Sequence, residues 1–227
     1  MSASFERWLT ASENQRLAQL SVPARREEFI ACRYALRWLL ARDVRQIGQF
    51  PLEAPHGRGP RLDTRHPLSH LLHLSLSHSN GYIACAVSSQ PVGIDIEILA
   101  RQPRSTWHER AALACTDHER AELSTIADDE QRHRRFMQWW SLKEAWFKRA
   151  QTGVDLALLP RLACVQGDAI PLPRALAEHA RCWTTRTPEG HAALLSVCSQ
   201  IPDMRCELQD DAQLRWLCAG SFGYAMA

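Results

Sequence analysis

The chain has 227 residues, of which 45% are hydrophobic and 23% are charged, and this balance is typical of a folded globular protein. Its formal charge of +2 lacks the strong basic excess of most nucleic-acid-binding proteins. No stretch is apolar for long enough to cross a bilayer, and the first residues lack the apolar core of a signal peptide. We therefore expect neither a nucleic-acid partner nor a membrane.

The eight cysteines are scattered singly along the chain, and no two form a Cys-x-x-Cys pair. Several lie in apolar runs, as in Ile-Ala-Cys-Ala-Val at 83–87, where a thiol behaves as a small buried hydrophobe. This spacing argues against a zinc site and against a disulfide framework. It favours a protein of the reducing cytoplasm.

The first half begins with a helical pattern over residues 23–42, where apolar residues recur among arginines. A loop rich in proline and glycine follows at 54–61. Residues 72–78 then alternate like a strand, and a Ser-Asn-Gly turn leads into a second strand over 82–87. The two strands predict a β-hairpin.

A third strand is predicted at Val-Gly-Ile-Asp-Ile-Glu, residues 92–97. Side chains alternate between the two faces of a strand, so the isoleucines share one face while Asp95 and Glu97 share the other. Adjacent carboxylates repel each other unless a cation lies between them, and a cation held only by oxygen atoms is typically Mg²⁺. The alternative is an edge strand whose polar face is simply solvated.

The second half repeats this order of elements. Helical patterns over 107–123 and 131–150 precede strand patterns over 182–187 and 191–198. The segment from Gly190 also resembles, weakly, the segment from Gly81. Because each half passes from helix to antiparallel strands, we predict a pseudo-duplicated α+β fold.

A further carboxylate, Glu144, lies in the second of these helical segments, within Trp-Ser-Leu-Lys-Glu at 140–144. Lys143 and Lys148 flank it, and cationic side chains of this kind neutralise phosphate groups. Together with Asp95 and Glu97, Glu144 suggests a magnesium-phosphate site. The alternative is an ordinary surface pair between Glu144 and Lys148, one helical turn apart.

Five motifs lie at residues 57–60, 76–79, 92–97, 115–119 and 140–148. In their residues and their order they resemble the motifs of the 4′-phosphopantetheinyl transferases, in particular the monomeric, two-lobed type that activates carrier proteins of peptide and polyketide synthases. The resemblance covers roughly residues 20–200.

This resemblance implies that the protein transfers the 4′-phosphopantetheine arm of coenzyme A to a serine of an apo acyl or peptidyl carrier protein, with Mg²⁺ as cofactor. Adenosine 3′,5′-bisphosphate is the expected by-product. The resemblance also implies a monomer with an N-terminal lobe, 1–103, and a C-terminal lobe, 104–227. Each lobe is expected to pack a small antiparallel sheet on a long helix. The alternatives are a metal-dependent phosphohydrolase or nuclease with the same carboxylates, and a non-enzymatic arginine-rich binding module.

The resemblance assigns roles to individual residues. Asp95, Glu97 and Glu144 correspond to metal ligands, and Glu144 is also a candidate general base that acts with Lys148. The residues expected to contact coenzyme A are Arg26, Arg58, Pro60, Ser77, His78, Lys143 and Lys148.

The chain departs from the family pattern at three places. Ser75 stands where the family usually has asparagine, Gly59 is an extra residue in the glycine-proline loop, and Gln151 stands at the first position of a Gly-x-Gly. The family also has a recurrent glutamate at Glu119. We interpret this residue as structural, since Thr116 and Glu119 have the spacing of a helix capping box.

Overall fold

The structure is a computed structural model that describes residues 8–41, 43–55, 57–99, 106–167, 175–201 and 217–226. The α-helices in these ranges are α1 (Ala11–Ala18), α2 (Pro23–Ala41), α3 (Thr106–Ala114), α4 (Asp117–Thr125) and α5 (Asp129–Ala150). The strands are β1 (Leu52–Glu53), β2 (Arg61–Leu62), β3 (His73–Ser79), β4 (Tyr82–Ser88), β5 (Val92–Leu99), β6 (Leu162–Gln166), β7 (Ala175–Arg186), β8 (Ala192–Ser199) and β9 (Leu217–Met226).

The strands form three antiparallel sheets in the described ranges. Two are two-stranded, β1 with β2 and β3 with β4, and the third has the order β5-β8-β7-β9-β6. The predicted hairpin is confirmed as β3 and β4, and it turns at Asn80 and Gly81, whose φ angles are 47° and 83°. Positive φ at both central residues is the geometry that a tight two-residue hairpin requires. The mixture of helices and antiparallel sheets confirms the predicted α+β class.

Strand β5 joins the large sheet instead of extending the hairpin. It pairs with β8, with Asp95 opposite Ser196 and Glu97 opposite Leu194. The five-stranded sheet thus contains one strand from before residue 103 together with strands from after it. The division into lobes 1–103 and 104–227 stays a prediction.

Helix α5 covers the five-stranded sheet. Its apolar stripe is buried in the largest hydrophobic cluster, through Phe136, Trp139, Leu142 and Phe147. The side chain of Tyr224 on β9 donates a hydrogen bond to the Leu142 carbonyl at 2.7 Å. The helix is therefore fixed to the sheet both by apolar packing and by a buried hydrogen bond.

The C-terminal cap of α5 is Gln151, which adopts a left-handed conformation with φ 56° and ψ 27°. Glycine is the usual residue in this conformation, because a Cβ atom is unfavourable there. Helix α5 therefore ends at Ala150, and a glutamine takes the left-handed position that follows it.

The two faces of β5 have different partners. Ile94, Ile96 and Ile98 pack in a second hydrophobic cluster that includes Trp183 and Leu195, and this confirms the predicted isoleucine face. The other face lies against α5.

No helix in the described part of the chain is both long and apolar enough to span a membrane.

The close contact between β5 and α5 depends on Gly93. A Cβ atom at this position would lie 1.8 Å from the Ala145 carbonyl oxygen and 2.5 Å from the Arg149 amide nitrogen. Non-bonded atoms do not approach to these distances, so only glycine allows the helix backbone to lie directly on the strand. This contact brings Glu144 and Lys148 of the helix next to Asp95 of the strand.

Several elements differ from the sequence predictions. The predicted helix over 107–123 is two helices, α3 and α4, because Thr116 and Glu119 form the capping box that begins α4. No sequence pattern predicted α1, β1, β2, β6 or β9, although α1 begins with a complete capping box of Thr10 and Glu13.

Candidate active site

Asp95 is the centre of a cluster of charged side chains between β5, β3 and α5. Only 2% of its surface is exposed. Its Oδ1 atom accepts hydrogen bonds from Lys148 Nζ at 2.6 Å and from Ser77 Oγ at 2.9 Å. Its Oδ2 atom is buried and has no hydrogen-bond partner. A buried carboxylate oxygen without a partner is costly, and a cation would satisfy it.

Lys148 links the elements of this cluster. Besides Asp95, its Nζ atom contacts Ser77 Oγ at 2.8 Å and Glu144 Oε2 at 3.3 Å. Burial alone would lower the pKa of the ammonium group, but the nearby carboxylates of Asp95 and Glu144 outweigh burial and raise it. Lys148 is therefore charged at neutral pH.

Glu97 and Glu144 complete the cluster, in which the Lys148 ammonium group contacts Asp95 and Glu144 and lies close enough to Glu97 to lower its pKa. Burial, followed by the charges of Asp95 and Glu144, raises the pKa of Glu97 to about 7. Burial and the charge of Asp95 also raise the pKa of Glu144, against the opposing effect of Lys148. Repulsion between the carboxylates adds to the effect of burial in both shifts, because the cluster holds three carboxyl groups and one ammonium group.

The residues of the cluster fit a divalent cation in their chemistry. Within the described ranges, no three histidine, cysteine, aspartate or glutamate side chains lie in positions from which they could hold a metal ion together. However, the donors are all carboxylate oxygens, Asp95 Oδ2 has no partner, and burial together with the charges of Asp95 and Glu144 raises the pKa of Glu97. An oxygen-only donor set with excess negative charge is suited to a hard ion such as Mg²⁺.

A pocket of about 160 Å³ lies beside the cluster. Its wall is formed by the loop before β2, by β3, and by the end of α5 with the segment that follows it. The lining residues are Gly57, Arg58, Gly59, Leu74, Ser75, Leu76, Glu144, Phe147, Lys148, Gln151, Gly153 and Val154. The pocket thus extends from the loop before β2, the glycine-rich loop of residues 57–60, to Glu144 and Lys148. Its walls carry both apolar and charged side chains.

Comparison with known proteins gives the family. A sequence model described as the 4′-phosphopantetheinyl transferase superfamily matches residues 91–193, which include β5 and α5. The chain is 30% identical over 134 residues to the 4′-phosphopantetheinyl transferase Sfp of Bacillus subtilis (strain 168), and 31% identical over 160 residues to the 4′-phosphopantetheinyl transferase HetI of Nostoc sp.. The chain belongs to the 4′-phosphopantetheinyl transferase superfamily.

The matches cover part of each protein. The match to Sfp spans 58% of this chain and 56% of Sfp, and a second Bacillus subtilis 4′-phosphopantetheinyl transferase is matched over 57% of its length. The match to HetI spans 67% of this chain and 66% of HetI. The chain thus matches little more than half the length of the two Bacillus relatives.

The structure brings together five of the ten site residues that the resemblance assigns. Asp95, Glu97, Glu144, Lys148 and Ser77 form one cluster. Their roles stay predictions.

The residues of the glycine-rich loop lie at or beside the pocket. Arg58 lines it, and the buried Pro60 follows closely in the same loop. The predicted contacts of both residues with coenzyme A likewise stay predictions.

His78 lies on the opposite face of β3 from Ser77, because neighbouring residues of a strand alternate. Its Nδ1 atom is 2.9 Å from Glu28 Oε1 on α2. Arg26 is also occupied on α2, where its guanidinium group donates to the carbonyl oxygens of Leu17 and Leu20 at 2.7 and 3.3 Å. Both side chains thus make these contacts with α2 or the residues before it, away from the carboxylate cluster, and their predicted contacts with coenzyme A stay predictions.

Lys143 lies in the core and not at the cluster. It is 1% exposed, and its Nζ atom donates to Glu119 Oε2 at 2.6 Å and to the Ala114 carbonyl oxygen at 2.7 Å. Successive helical residues are 100° apart, so residue 143 points well away from residue 148. The predicted contact between Lys143 and coenzyme A is therefore corrected: its charge is used to pair with Glu119 inside the protein.

The structural role predicted for Glu119 is confirmed. Besides Lys143, its carboxylate accepts hydrogen bonds from the amides of Thr116 at 2.8 Å and Cys164 at 3.1 Å. The buried ion pair between Glu119 and Lys143 therefore joins α4, α5 and β6.

Replacing Lys143 with methionine is expected to lower the free energy of unfolding by about 3 to 5 kcal/mol, because the Glu119 carboxylate would remain buried without its cation. Urea unfolding measures this loss. A double variant with Glu119→Gln as well should recover much of the stability. Unchanged stability together with weaker coenzyme A binding would instead support a phosphate contact.

Glu97 is expected to make the metal-free protein less stable as pH rises. Its pKa in the folded state, about 7, lies above the ordinary value of 4.5, so the folded state binds more protons between these values. The stabilisation is complete below about pH 4.5 and is lost as pH rises through 7, by up to about 3 kcal/mol.

Thermal unfolding in EDTA from pH 5 to pH 8 measures this effect. Glu97→Gln should remove most of the pH dependence, and the exposed residue Glu27, changed to glutamine, is the control. Magnesium ions added at pH 8 should stabilise the unmodified protein more than the Glu97 variant. The same pH dependence in both proteins would contradict the assignment.

Proposed function

We propose that the protein transfers the 4′-phosphopantetheine arm of coenzyme A to a serine hydroxyl of an apo acyl or peptidyl carrier protein, and that it releases adenosine 3′,5′-bisphosphate. The observation that carries this proposal is the cluster of Asp95, Glu97 and Glu144 around Lys148 at the edge of the pocket. Membership of the superfamily supports the same reaction.

Asp95, Glu97 and Glu144 are the residues that would hold Mg²⁺. The bound ion supplies positive charge that offsets the charge of the pyrophosphate and of the leaving phosphate. The unpartnered Asp95 Oδ2 and the raised pKa of Glu97 support this ligand set. These three carboxylates would be enough protein ligands, since magnesium typically keeps several waters in its coordination shell.

Lys148 is proposed to bind the pyrophosphate. An ammonium group has three hydrogen-bond donors, and those of Lys148 are directed at Asp95, Ser77 and Glu144. One of these contacts can be exchanged for a phosphate oxygen while the others hold the side chain in place. Lys148 would then place positive charge on the phosphate in the transition state, where it accelerates the reaction.

Glu144 is proposed to act as the general base. A serine hydroxyl is a weak nucleophile at neutral pH and needs a group that accepts its proton as it attacks. The serine oxygen forms a bond to the β-phosphorus, and the bond from that phosphorus to the oxygen bridging to the α-phosphorus breaks. The serine proton passes to Glu144, and the electron pair leaves with adenosine 3′,5′-bisphosphate. The exposure of Glu144 to the pocket supports this role.

Arg58 is proposed to contact the 3′-phosphate of coenzyme A. It lines the pocket at the end formed by the glycine-rich loop, and it forms no ion pair with the residues that the structure describes. Arg26 is a less suitable candidate, because two backbone carbonyls already accept its hydrogen bonds. Arginine suits phosphate recognition because its planar group donates two parallel hydrogen bonds.

We further propose that the protein acts as a monomer in the cytoplasm. The cysteines that the structure describes are all free, and several are buried in the core. Free thiols are usual in a reducing compartment.

The decisive experiment is mass spectrometry of an apo carrier protein incubated with the enzyme, coenzyme A and magnesium ions. We expect the carrier to gain the mass of one phosphopantetheine group. The gain should be lost in EDTA and strongly reduced in Asp95→Ala. An unmodified carrier together with free phosphate or cleaved nucleic acid would overturn the proposal in favour of the hydrolase alternative.

A further inference from the structure

A row of three serine hydroxyls joins the hairpin to the strand that carries the carboxylates. Ser75, Ser77 and Ser79 alternate along β3 and therefore lie on one face. The backbone ladder of β3 is formed with β4, whereas β5 belongs to the five-stranded sheet. The serine side chains form hydrogen bonds across this boundary.

The serines at the two ends of the row bind backbone amides of β5. Ser75 Oγ accepts a hydrogen bond from the Ile94 amide at 3.0 Å, and Ser79 Oγ accepts one from the Ile98 amide at 3.2 Å. The contact at Ser79 is reinforced by the next residue, since Asn80 Nδ2 donates to the Ile98 carbonyl oxygen at 3.3 Å. Both serines thus fix the position of the hairpin relative to β5.

Ser79 also binds a side chain of β5, whereas the hydrogen bond of Ser75 is to the backbone. Its hydroxyl donates to Glu97 Oε2 at 3.3 Å. A hydroxyl has one hydrogen and two lone pairs, and the Ile98 amide uses a lone pair. The hydrogen therefore remains available for the carboxylate, and the same oxygen atom binds the backbone and the side chain of β5.

We propose that Ser79 is a positioning residue that orients the Glu97 carboxylate for the divalent cation, an inference that rests on the proposed function. Glu97 is only partly buried, and its side chain has several rotatable bonds. A hydrogen bond to Oε2 restricts these bonds and leaves Oε1 for the metal. Hydrogen bonds to metal ligands of this kind typically change metal affinity by about 10- to 100-fold.

The row contains its own control. Ser79→Ala removes the acceptor for Ile98 and the donor to Glu97, whereas Ser75→Ala removes only the acceptor for Ile94. The difference between the two variants therefore isolates the contact with Glu97. Ser79→Thr keeps a hydroxyl at the same position and should restore the contact.

The test measures binding of Mn²⁺, as a probe for the magnesium site, by electron paramagnetic resonance with and without coenzyme A. Ser79→Ala should raise the dissociation constant of Mn²⁺ by about 10- to 100-fold. Because Ser75 lines the pocket, its control is measured without coenzyme A, where Ser75→Ala should change the dissociation constant of Mn²⁺ by less than about 3-fold. Ser79→Thr should remain close to the unmodified protein. Thermal unfolding of each variant identifies any general loss of folding.

Equal losses in Ser75→Ala and Ser79→Ala would overturn the proposal, since the row would then only align the strands. Unchanged Mn²⁺ affinity in Ser79→Ala, or absence of Mn²⁺ binding by the unmodified protein, would also overturn it. Transfer to the carrier is measured on the same samples. A protein that transfers normally but is insensitive to Ser79→Ala contradicts only this inference. One that shows the Mn²⁺ effect without transfer contradicts only the proposed function.

Discussion

Replacing Gly93 with alanine is expected to lower the free energy of unfolding by about 3 kcal/mol or more. Overpacking a well-packed contact typically costs about 1 to 3 kcal/mol, and this clash is with backbone atoms, which move less easily than side chains. The added Cβ would lie 1.8 Å from the Ala145 carbonyl oxygen. A backbone atom inside a helix cannot move aside alone, so α5 would shift away from β5. Glu144 and Lys148 would shift with it.

The same change is expected to reduce kcat/KM by about 100-fold or more, since displacements of about 1 Å in catalytic groups have effects of this size. Urea unfolding and the carrier modification assay measure the two losses. Gly48→Ala is the matched control, because a Cβ at this exposed position meets no atom within 4 Å. A Gly93→Ala protein with normal stability and activity would contradict the close contact between α5 and β5.

Replacing Glu144 with glutamine is expected to reduce turnover by about 10²- to 10⁴-fold, the range typical for loss of a general base. The change preserves the shape of the side chain and removes the charge that accepts the proton. Coenzyme A affinity should change much less than turnover. Steady-state kinetics of carrier modification and titration calorimetry with coenzyme A measure the two quantities separately.

Glu130→Gln is the matched control for this variant. Glu130 lies on the same helix and also pairs with a basic residue four positions later, Arg134, but at the surface. Its replacement should have little effect. If Glu144→Gln loses coenzyme A affinity and added magnesium restores turnover, Glu144 is chiefly a metal ligand. If Glu144→Gln behaves like the control, the proposed mechanism is wrong.

The local elements of the site could be predicted from the sequence because each has a clear period. Alternating isoleucines predicted β5 and its two faces, and a helical period predicted α5. The motifs that carry Asp95 and Glu144 then indicated one site, and the structure brings these residues together through Lys148. Periodicity and motif chemistry are sufficient for features of this kind.

The role of Lys143 was missed although the sequence contains its signal. Lys143 recurs with Phe136 and Phe147 on the apolar stripe of α5, and a lysine on such a stripe needs a buried partner. The partner, Glu119, was interpreted only as a helix cap. Sequence spacing gave no indication that Glu119 also meets Lys143, because that contact depends on how α4 packs against α5.

The contact partners of Gly93 and β9 could not be predicted for a similar reason. A glycine within a strand indicates close approach of another group but does not identify that group. Strand β9 has two glycines, Gly220 and Gly223, and no β-branched residue, so its strand propensity is weak. Its place between β7 and β6 depends on tertiary pairing.

The pairing of β5 with β8 also determines when the site is assembled as the chain folds. Asp95 pairs with Ser196, roughly a hundred residues further along the chain, and contacts of such long range slow folding because a large loop must close first. During synthesis, β5 leaves the ribosome well before its neighbour in the sheet. The carboxylates of β5 therefore reach their final arrangement only after β8 has been made. A nascent chain that stops before β8 contains every residue of the site but lacks the strand that holds β5 in the sheet.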